Sequence, residues 1–320
     1  MGAITEQSRG IRKIWSNFQS SRVLITSNNY RIFDYLESPK TAGRIAGEIG
    51  TDKRATEILL DALVGLGLLR KQKNRYRNTK SASRFLVSHS PYYQGEIIRH
   101  VDGLWDRWSD LDTIVKTGKP SQRSRNHEAF ILGMHNIAVT KAKEVITGVG
   151  LRGVKRVLDL GCGPGTYSME IAGNGVEVTL FDLPATIKIA RDVVSRSGTK
   201  TENIRFMDGD FLSDDIGSGY DLILISQIVH MFSENVNMVL LKKCRRALNK
   251  NGRVVVHDFL INEARTMPPW SSLFAINMLV STEGGRTYSP GDIKGWFLKT
   301  GFGSVRKKTV VDGVLVSARK

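Results

Sequence analysis

From residue 151 onward, short and nearly unbroken apolar runs alternate with longer segments whose apolar residues recur every three or four positions. The first pattern belongs to strands covered on both faces of a parallel sheet, and the second to helices packed on one side. Strands are expected at 154–160, 176–182, 204–208, 221–229 and 252–260, and helices at 165–173, 184–197, 234–249 and 290–300. Val305 to Val310 and Val314 to Ala318, split by Asp312-Gly313, predict a closing antiparallel hairpin. The expected architecture is an open, Rossmann-like α/β sheet.

The first 150 residues read differently. Asn28 to Leu36 predicts a capped amphipathic helix. Thr41 caps a second helix running to Ile49, and Asp52 caps a third with Ala55, Ile58, Leu59, Ala62, Leu63 and Leu66 on its apolar face. Gly67 to Lys71 and Arg75 to Arg77 then read as two strands around a polar turn. Three helices followed by a basic hairpin make a winged-helix pattern. Residues 91–150 are helical by periodicity, with Trp105 and Trp108 near an apolar stripe, and end at a Gly148-Val149-Gly150 hinge. The expected domains are 1–90, 91–150 and 151–320.

Candidate chemistry starts at the first strand of the α/β region. Val157-Leu158-Asp159-Leu160 leads into Gly161-Cys162-Gly163-Pro164-Gly165-Thr166, where three alternating glycines mark a tight turn into a helix. Glycine lets backbone bend sharply and lie against a ligand with no Cβ in the way. Thr166 stands where a dinucleotide fingerprint needs its third small residue, so the loop reads as a nucleoside cradle with no pyrophosphate to bind. S-adenosylmethionine is such a ligand. A plain strand-to-helix turn is the simpler alternative. Asp182 ends the second strand, about 20 residues past the glycines, where an acid accepts ribose hydroxyls. The third strand leads to Asp210-Phe211, an acid and a ring suited to the amino edge and the face of adenine.

Composition narrows the picture. The chain of 320 residues has a formal net charge of +16. Between Asp61 and Glu96 lie seven basic residues and no acid: Arg70, Lys71, Lys73, Arg75, Arg77, Lys80 and Arg84. Such a run is a solvated face, or a wing that contacts phosphates. The Lys53 to Leu66 helix is mostly apolar beyond its first turn, which suits a subunit interface better than base reading. Nucleic acid is therefore not the expected partner. There is no apolar run long enough for a membrane span, no secretory leader pattern before Arg22, and no Cys/His cluster with metal spacing. Cys162 and Cys244 are the two cysteines, so a cytoplasmic setting is expected.

The ordered motifs resemble the small-molecule O-methyltransferases that include caffeate and acetylserotonin O-methyltransferases and antibiotic-tailoring relatives. They are Asp159 to Gly165, Phe181-Asp182-Leu183-Pro184, Gly209-Asp210-Phe211, Ile228 to Phe232, Asn251 to Val256, and Gly284-Gly285-Arg286-Thr287. The resemblance runs from about residue 22 to the end. It implies a seven-stranded sheet binding S-adenosylmethionine, with S-adenosylhomocysteine as product. It also implies a winged-helix N-terminal domain that makes a homodimer, and no metal. Asp159, Gly161, Gly163 and Gly165 would form the cofactor loop, Asp182 would hold the ribose with Leu183 packed nearby, and Asp210 and Phe211 would flank adenine. Ser226 stands where the family usually has a cofactor-side lysine.

His230, at the end of the fourth strand, is the candidate general base. It shares the sheet edge with Gly161 and Asp182, and the resemblance puts the catalytic histidine there. A phenol has a pKa near 10 and a histidine near 6.5, so direct contact lets the ring take the proton as oxygen attacks. Asp258 matches the acid that orients this imidazole, shortened from glutamate. His257 faces the other side of its strand and reads as structural. Two departures stand out: Met231 follows the histidine in place of an acid, and no acid follows Gly284-Gly285. By resemblance Phe130, Met134 and Met278 line the acceptor pocket, though Met and Phe at helical spacing also read as core. Asn277 could orient a substrate hydroxyl, and Ile137 replaces the family's substrate-facing histidine. The expected activity is methyl transfer to a hydroxyl of a small aromatic or polycyclic metabolite. The alternatives are carbon or nitrogen methylation on the same fold, and a DNA-binding regulator with the cofactor as effector.

Overall fold

The computed structural model describes residues 2–200 and 202–320. The chain divides between Gly103 and Leu104 into two compact units. The division falls inside the helix Gly95–Trp108.

The N-terminal unit begins with a 28-residue helix, Gly2–Asn29. This corrects the expected helix at 28–36. The long helix stops at Asn29, Arg31 turns left-handed with φ of 51°, and a single 3-10 turn follows at Ile32–Tyr35. The pattern had mistaken a helix end followed by a buried turn for a helix start, because Ile32, Phe33 and Leu36 are all buried in the same small core. The next two helices, Ala42–Ile49 and Lys53–Gly65, have the expected caps: Thr41 accepts from the Arg44 N–H and Asp52 from the Ala55 N–H. Strands β1 (Lys40–Thr41), β2 (Leu69–Gln72) and β3 (Arg75–Asn78) pair antiparallel in the order β1-β3-β2. Lys73 and Asn74 both take positive φ, as a tight two-residue hairpin requires.

The C-terminal unit holds the helices Leu111–Thr117, His127–Val139 and Ala142–Val149 before its sheet. The sheet strands are β4 (Arg156–Leu160), β5 (Glu177–Asp182), β6 (Ile204–Asp208), β7 (Tyr220–Ser226), β8 (Leu248–Asp258), β9 (Gly303–Val310) and β10 (Gly313–Arg319). Their order is β6-β5-β4-β7-β8-β10-β9. Neighbours from β6 to β8 run parallel, and β10 is antiparallel to both β8 and β9. The expected fold class, a seven-stranded α/β sheet with an antiparallel C-terminal hairpin, is what the chain adopts.

Alternation along each strand feeds two cores. Leu158, Leu160, Ile223, Ile225, Val254 and Val256 pack with Trp296 and Phe297 on one face. Val157, Val178, Leu180, Leu222, Leu224 and Val255 pack with Ile171 and Ile187 on the other. Cys162 belongs to one core and Cys244 to the other, and both are free thiols. The strand order reverses between the parallel neighbours β4 and β7, and a crevice opens beyond the carboxyl ends of strands at such a point.

Candidate functional site

One wall of the crevice is the glycine turn after β4. Gly161, Gly163 and Gly165 all have positive φ, at 73°, 54° and 76°. The Gly161 and Cys162 N–H groups donate to the Phe181 carbonyl at the end of β5, 2.8 and 3.1 Å away. Gly163 donates its N–H to Asp182 Oδ2 at 2.8 Å, and Leu183 donates to Asp182 Oδ1 at 2.7 Å. The Asp182 carboxylate thus locks the glycine turn to the end of β5. Burial pushes its pKa up, against the pull of these two N–H groups. Leu183 beside it is 49% exposed.

Asp159 serves the same turn from below. It is fully buried and accepts a 2.6 Å hydrogen bond from the Ser168 hydroxyl on the following helix. Burial raises its pKa to about 7, and nearby Asp182 adds to the shift. The three glycines are not equivalent. A Cβ on Gly161 would collide with the Ile228 side chain and stand 3.5 Å from the Phe211 ring. A Cβ on Gly163 would meet nothing within 4 Å. Gly163 therefore opens onto free space beside Asp182, as a cradle for an external molecule must.

Phe211 lies over Gly161, and its ring meets Phe232 edge-on with centroids 5.9 Å apart. Lys243 donates to the Phe211 carbonyl at 2.8 Å and holds this loop. Asp210 is exposed and accepts from the Leu212 N–H. Ser226 turns the other way: its hydroxyl pairs with His257 Nδ1 at 2.9 Å, in a buried polar contact against Tyr167. Burial, then the charge of Lys141, lowers His257 to about 4, so it is neutral at physiological pH.

The opposite wall follows β7. His230 does not end the strand, as expected. The strand stops at Ser226, and His230 sits in a 3-10 turn, Val229–Met231. The buried Asn237 amide donates to the Val229 carbonyl at 2.8 Å, and the Tyr288 hydroxyl donates to the Phe232 carbonyl at 2.7 Å. Gly285 packs so tightly beneath the turn that any Cβ there would strike the His230 carbonyl oxygen. The aspartate at the end of β8 reaches His230 despite being one methylene shorter than glutamate: Nδ1 and Asp258 Oδ1 are 2.8 Å apart. Both residues are buried, at 6% and 4% exposure. Phe259 N–H donates to the same oxygen at 2.7 Å, while Asp258 Oδ2 is buried without a partner. An ionised carboxylate only accepts, so this contact puts the neutral imidazole's proton on Nδ1 and leaves Nε2 with a free lone pair. Nε2 has no partner among the described residues and is not among their sealed polar atoms.

Two aromatic side chains complete this wall, and the sequence reading had missed both. Phe274 meets the His230 ring edge-on at 4.9 Å between centroids, and Phe259 lies at 5.7 Å. Phe274 is one turn before Asn277 and Met278 on the helix Pro269–Ser281, but that helix is apolar on most sides, so spacing alone does not single it out. Met278 itself is buried, and Asn277 accepts a 3.1 Å hydrogen bond from Trp108 Nε1. Phe130 and Met134 are half-buried on the helix His127–Val139. The same helix is tied to the sheet side by two histidines, His127 bonded to Thr186 at 3.2 Å and His135 bonded to Thr166 at 2.8 Å.

Residues 114–303 match the family model of the O-methyltransferase domain, and residues 13–88 match that of the O-methyltransferase dimerisation domain. The chain belongs to the O-methyltransferase family. It is 31% identical over 284 residues to a 3-hydroxy-5-methyl-1-naphthoate 3-O-methyltransferase of Streptomyces sahachiroi, covering 84% of this chain and 81% of the relative. It is 29% identical over 296 residues to the acetylserotonin O-methyltransferase of Gallus gallus, covering 84% and 85%. Among solved structures, human N-acetylserotonin methyltransferase in complex with S-adenosylmethionine superposes with a TM-score of 0.90 at 23% identity, covering 98% of this chain and 97% of the other. This O-methyltransferase is an S-adenosylmethionine-dependent enzyme, and its dimerisation domain supports a homodimer. No helix among the described residues is long and apolar enough to cross a membrane. No group of three or more His, Cys, Asp or Glu side chains among them has the geometry to hold a metal ion.

Proposed function

We propose that the enzyme transfers a methyl group to an aromatic hydroxyl, with His230 as general base. The observation that carries this reading is the 2.8 Å His230–Asp258 contact, with Nε2 left open at the crevice where the strand order reverses. S-adenosylmethionine, bound there, supplies an electrophilic methyl group on a good leaving group. Its ribose would fall to Asp182, its methionyl part to the turn Gly161 to Gly165, and its adenine to Asp210 and Phe211, with Leu183 at the margin; Asp159 would support the turn from beneath, and Ser226, bonded to His257, would take no part. The free space at Gly163 beside Asp182 supports this placement.

The protein's own task is then alignment, exclusion of water and removal of one proton. His230 Nε2 takes the hydroxyl proton as the oxygen gains nucleophilicity. Asp258 fixes the tautomer and stabilises the imidazolium that results. Such a base contributes about 10²–10⁴ in rate, and alignment in a near-attack geometry contributes more. Phe259 and Phe274 form an apolar wall for an aromatic ring, and Phe130, Met134, Asn277 and Met278 line the rest of the acceptor side. A hydroxynaphthoate and acetylserotonin, named for two relatives, both carry an aromatic hydroxyl and support that acceptor class. The enzyme acts as a homodimer through its N-terminal domain, needs no metal and works in the cytoplasm.

The test is His230→Ala. Turnover of a naphthol acceptor should fall at least a hundredfold, while calorimetric affinity for S-adenosylhomocysteine stays within about threefold of wild type. Equal loss of both would assign His230 a structural role.

A further inference from the structure

Two histidines on the acceptor side bond to the cofactor side. The helix His127–Val139 carries Phe130 and Met134, and it packs on the helices Thr166–Gly173 and Pro184–Arg196. Each of those helices begins where a segment assigned above to the cofactor ends. Thr166 directly follows Gly165, and Thr186 lies one turn past Asp182. These two buried threonines are the histidines' partners. His127 Nε2 is 3.2 Å from the Thr186 hydroxyl, and His135 Nδ1 is 2.8 Å from the Thr166 hydroxyl. The Thr186 N–H donates to the Leu183 carbonyl at 2.8 Å, and the Thr186 hydroxyl also bonds the Asp182 carboxylate. A carboxylate only accepts, so this hydroxyl gives its proton to Asp182 and accepts from His127 Nε2–H. Asp182 in turn holds the Gly163 N–H. The helix is therefore joined to both segments that would grip the cofactor, and those segments are joined to each other.

Helical geometry turns these two bonds into a link with the acceptor. Residues 127, 131 and 135 are spaced by four and form one stripe, with Ile131 buried between the histidines. Phe130 and Met134 have the same spacing and form the adjoining stripe, about a quarter turn away. A helix released at either histidine can slide or turn, and both acceptor-side residues move with it. A bound cofactor would hold the two anchor points still, so that the acceptor meets a wall already set in place.

We infer that His127 and His135 are positioning residues that couple acceptor binding to cofactor binding through Thr186 and Thr166. This rests on the cofactor and acceptor sides assigned above. The test is calorimetry of 2-naphthol on the full-length enzyme, with and without saturating S-adenosylhomocysteine. S-adenosylhomocysteine should tighten naphthol binding at least fivefold in wild type, the lower end of couplings that run to about 150-fold. His127→Ala and His135→Ala should each bring that ratio below about twofold. His127→Gln keeps a nitrogen near the Nε2 position and His135→Asn keeps one near Nδ1, so both should restore the wild-type ratio. His127→Asn is too short to reach Thr186 and should not. Both histidines are half-buried and eight residues apart, so either one carries the test if a variant of the other fails to fold. A wild-type ratio near one, an undiminished ratio in a folded alanine variant, or full rescue by His127→Asn overturns the inference. Naphthol that binds in neither state overturns it together with the aromatic acceptor. No proton transfer enters the ratio: a failed base would abolish turnover and leave the ratio, whereas a failed coupling would leave turnover and lose the ratio.

Discussion

Replacing Asp258 with Asn isolates what its charge does for His230. One carboxylate oxygen accepts from both His230 Nδ1 and the Phe259 N–H, and the other has no partner. In the variant the amide oxygen is therefore held on the side of the two donors, because turning the amide would set N–H against N–H. Geometry and tautomer persist, and the change removes the negative charge. A hydrogen bond to a charged group is worth about 1.5–3 kcal/mol net and a neutral one about 0.5–1.5, a difference of about 1–1.5 kcal/mol. The charge matters most once Nε2 has taken the proton and the ring is cationic, so this difference enters the barrier. It corresponds to about a 5- to 13-fold fall in rate. The assay is single-turnover methyl transfer to a naphthol at saturating cofactor, followed by product mass spectrometry. Asp258→Ala should fall further and also lose thermal stability, since it leaves two buried N–H donors without an acceptor. Wild-type rates in Asp258→Asn would show that the carboxylate does not support a proton-accepting imidazole.

Three other outcomes follow from the geometry. Gly285→Ala should cut kcat/KM about a hundredfold with S-adenosylhomocysteine affinity nearly intact, because the added methyl must push the His230 turn and a displacement near 1 Å costs that much; unchanged kinetics would refute the tight fit. Gly163→Asn should fold, as nothing within 4 Å opposes a Cβ and asparagine tolerates the φ of 54°, yet lose most calorimetric affinity for S-adenosylhomocysteine; retained affinity would mean the turn is no cradle. Burial raises Asp159 to about 7, so the native state holds a proton that the unfolded chain releases near pH 4. That contribution to stability is complete below pH 4 and is lost as pH rises toward 7, so Asp159→Asn should show a melting temperature that falls less than wild type between pH 4.5 and 7.5. Parallel melting profiles would contradict the burial argument.

Much of the α/β unit was legible because each strand is buried on both faces and carries its own signal. Val157 to Leu160, Leu222 to Ile225 and Val254 to Val256 leave little room for another reading. Asp182 was visible for the same reason: it ends an apolar run at a fixed distance from the glycines. Two-residue alternation separated Asp258 from His257 and put them on opposite faces, and they do face opposite ways. His230 was harder to place. The apolar run continues past Ser226 through Ile228 and Val229, but the chain has already left the sheet, with Gln227 at positive φ. Long-range contacts from Asn237, Gly285 and Tyr288 shape that turn, and no local pattern encodes them. Phe274 was hidden in a helix that is apolar on most sides, where spacing cannot separate a core face from a site wall. The long N-terminal helix escaped notice because Ile4, Ile11, Ile14, Trp15 and Phe18 are scattered among polar residues, and all five are exposed in the single chain.

The most direct test is a crystal structure of the enzyme with S-adenosylhomocysteine and 2-naphthol. The acceptor oxygen should lie within about 2.6–3.2 Å of His230 Nε2, on the side facing the glycine turn, with Asp258 still bonded to Nδ1. A naphthol bound elsewhere, or an imidazole whose Nε2 faces away from the turn above Gly161, would contradict the account.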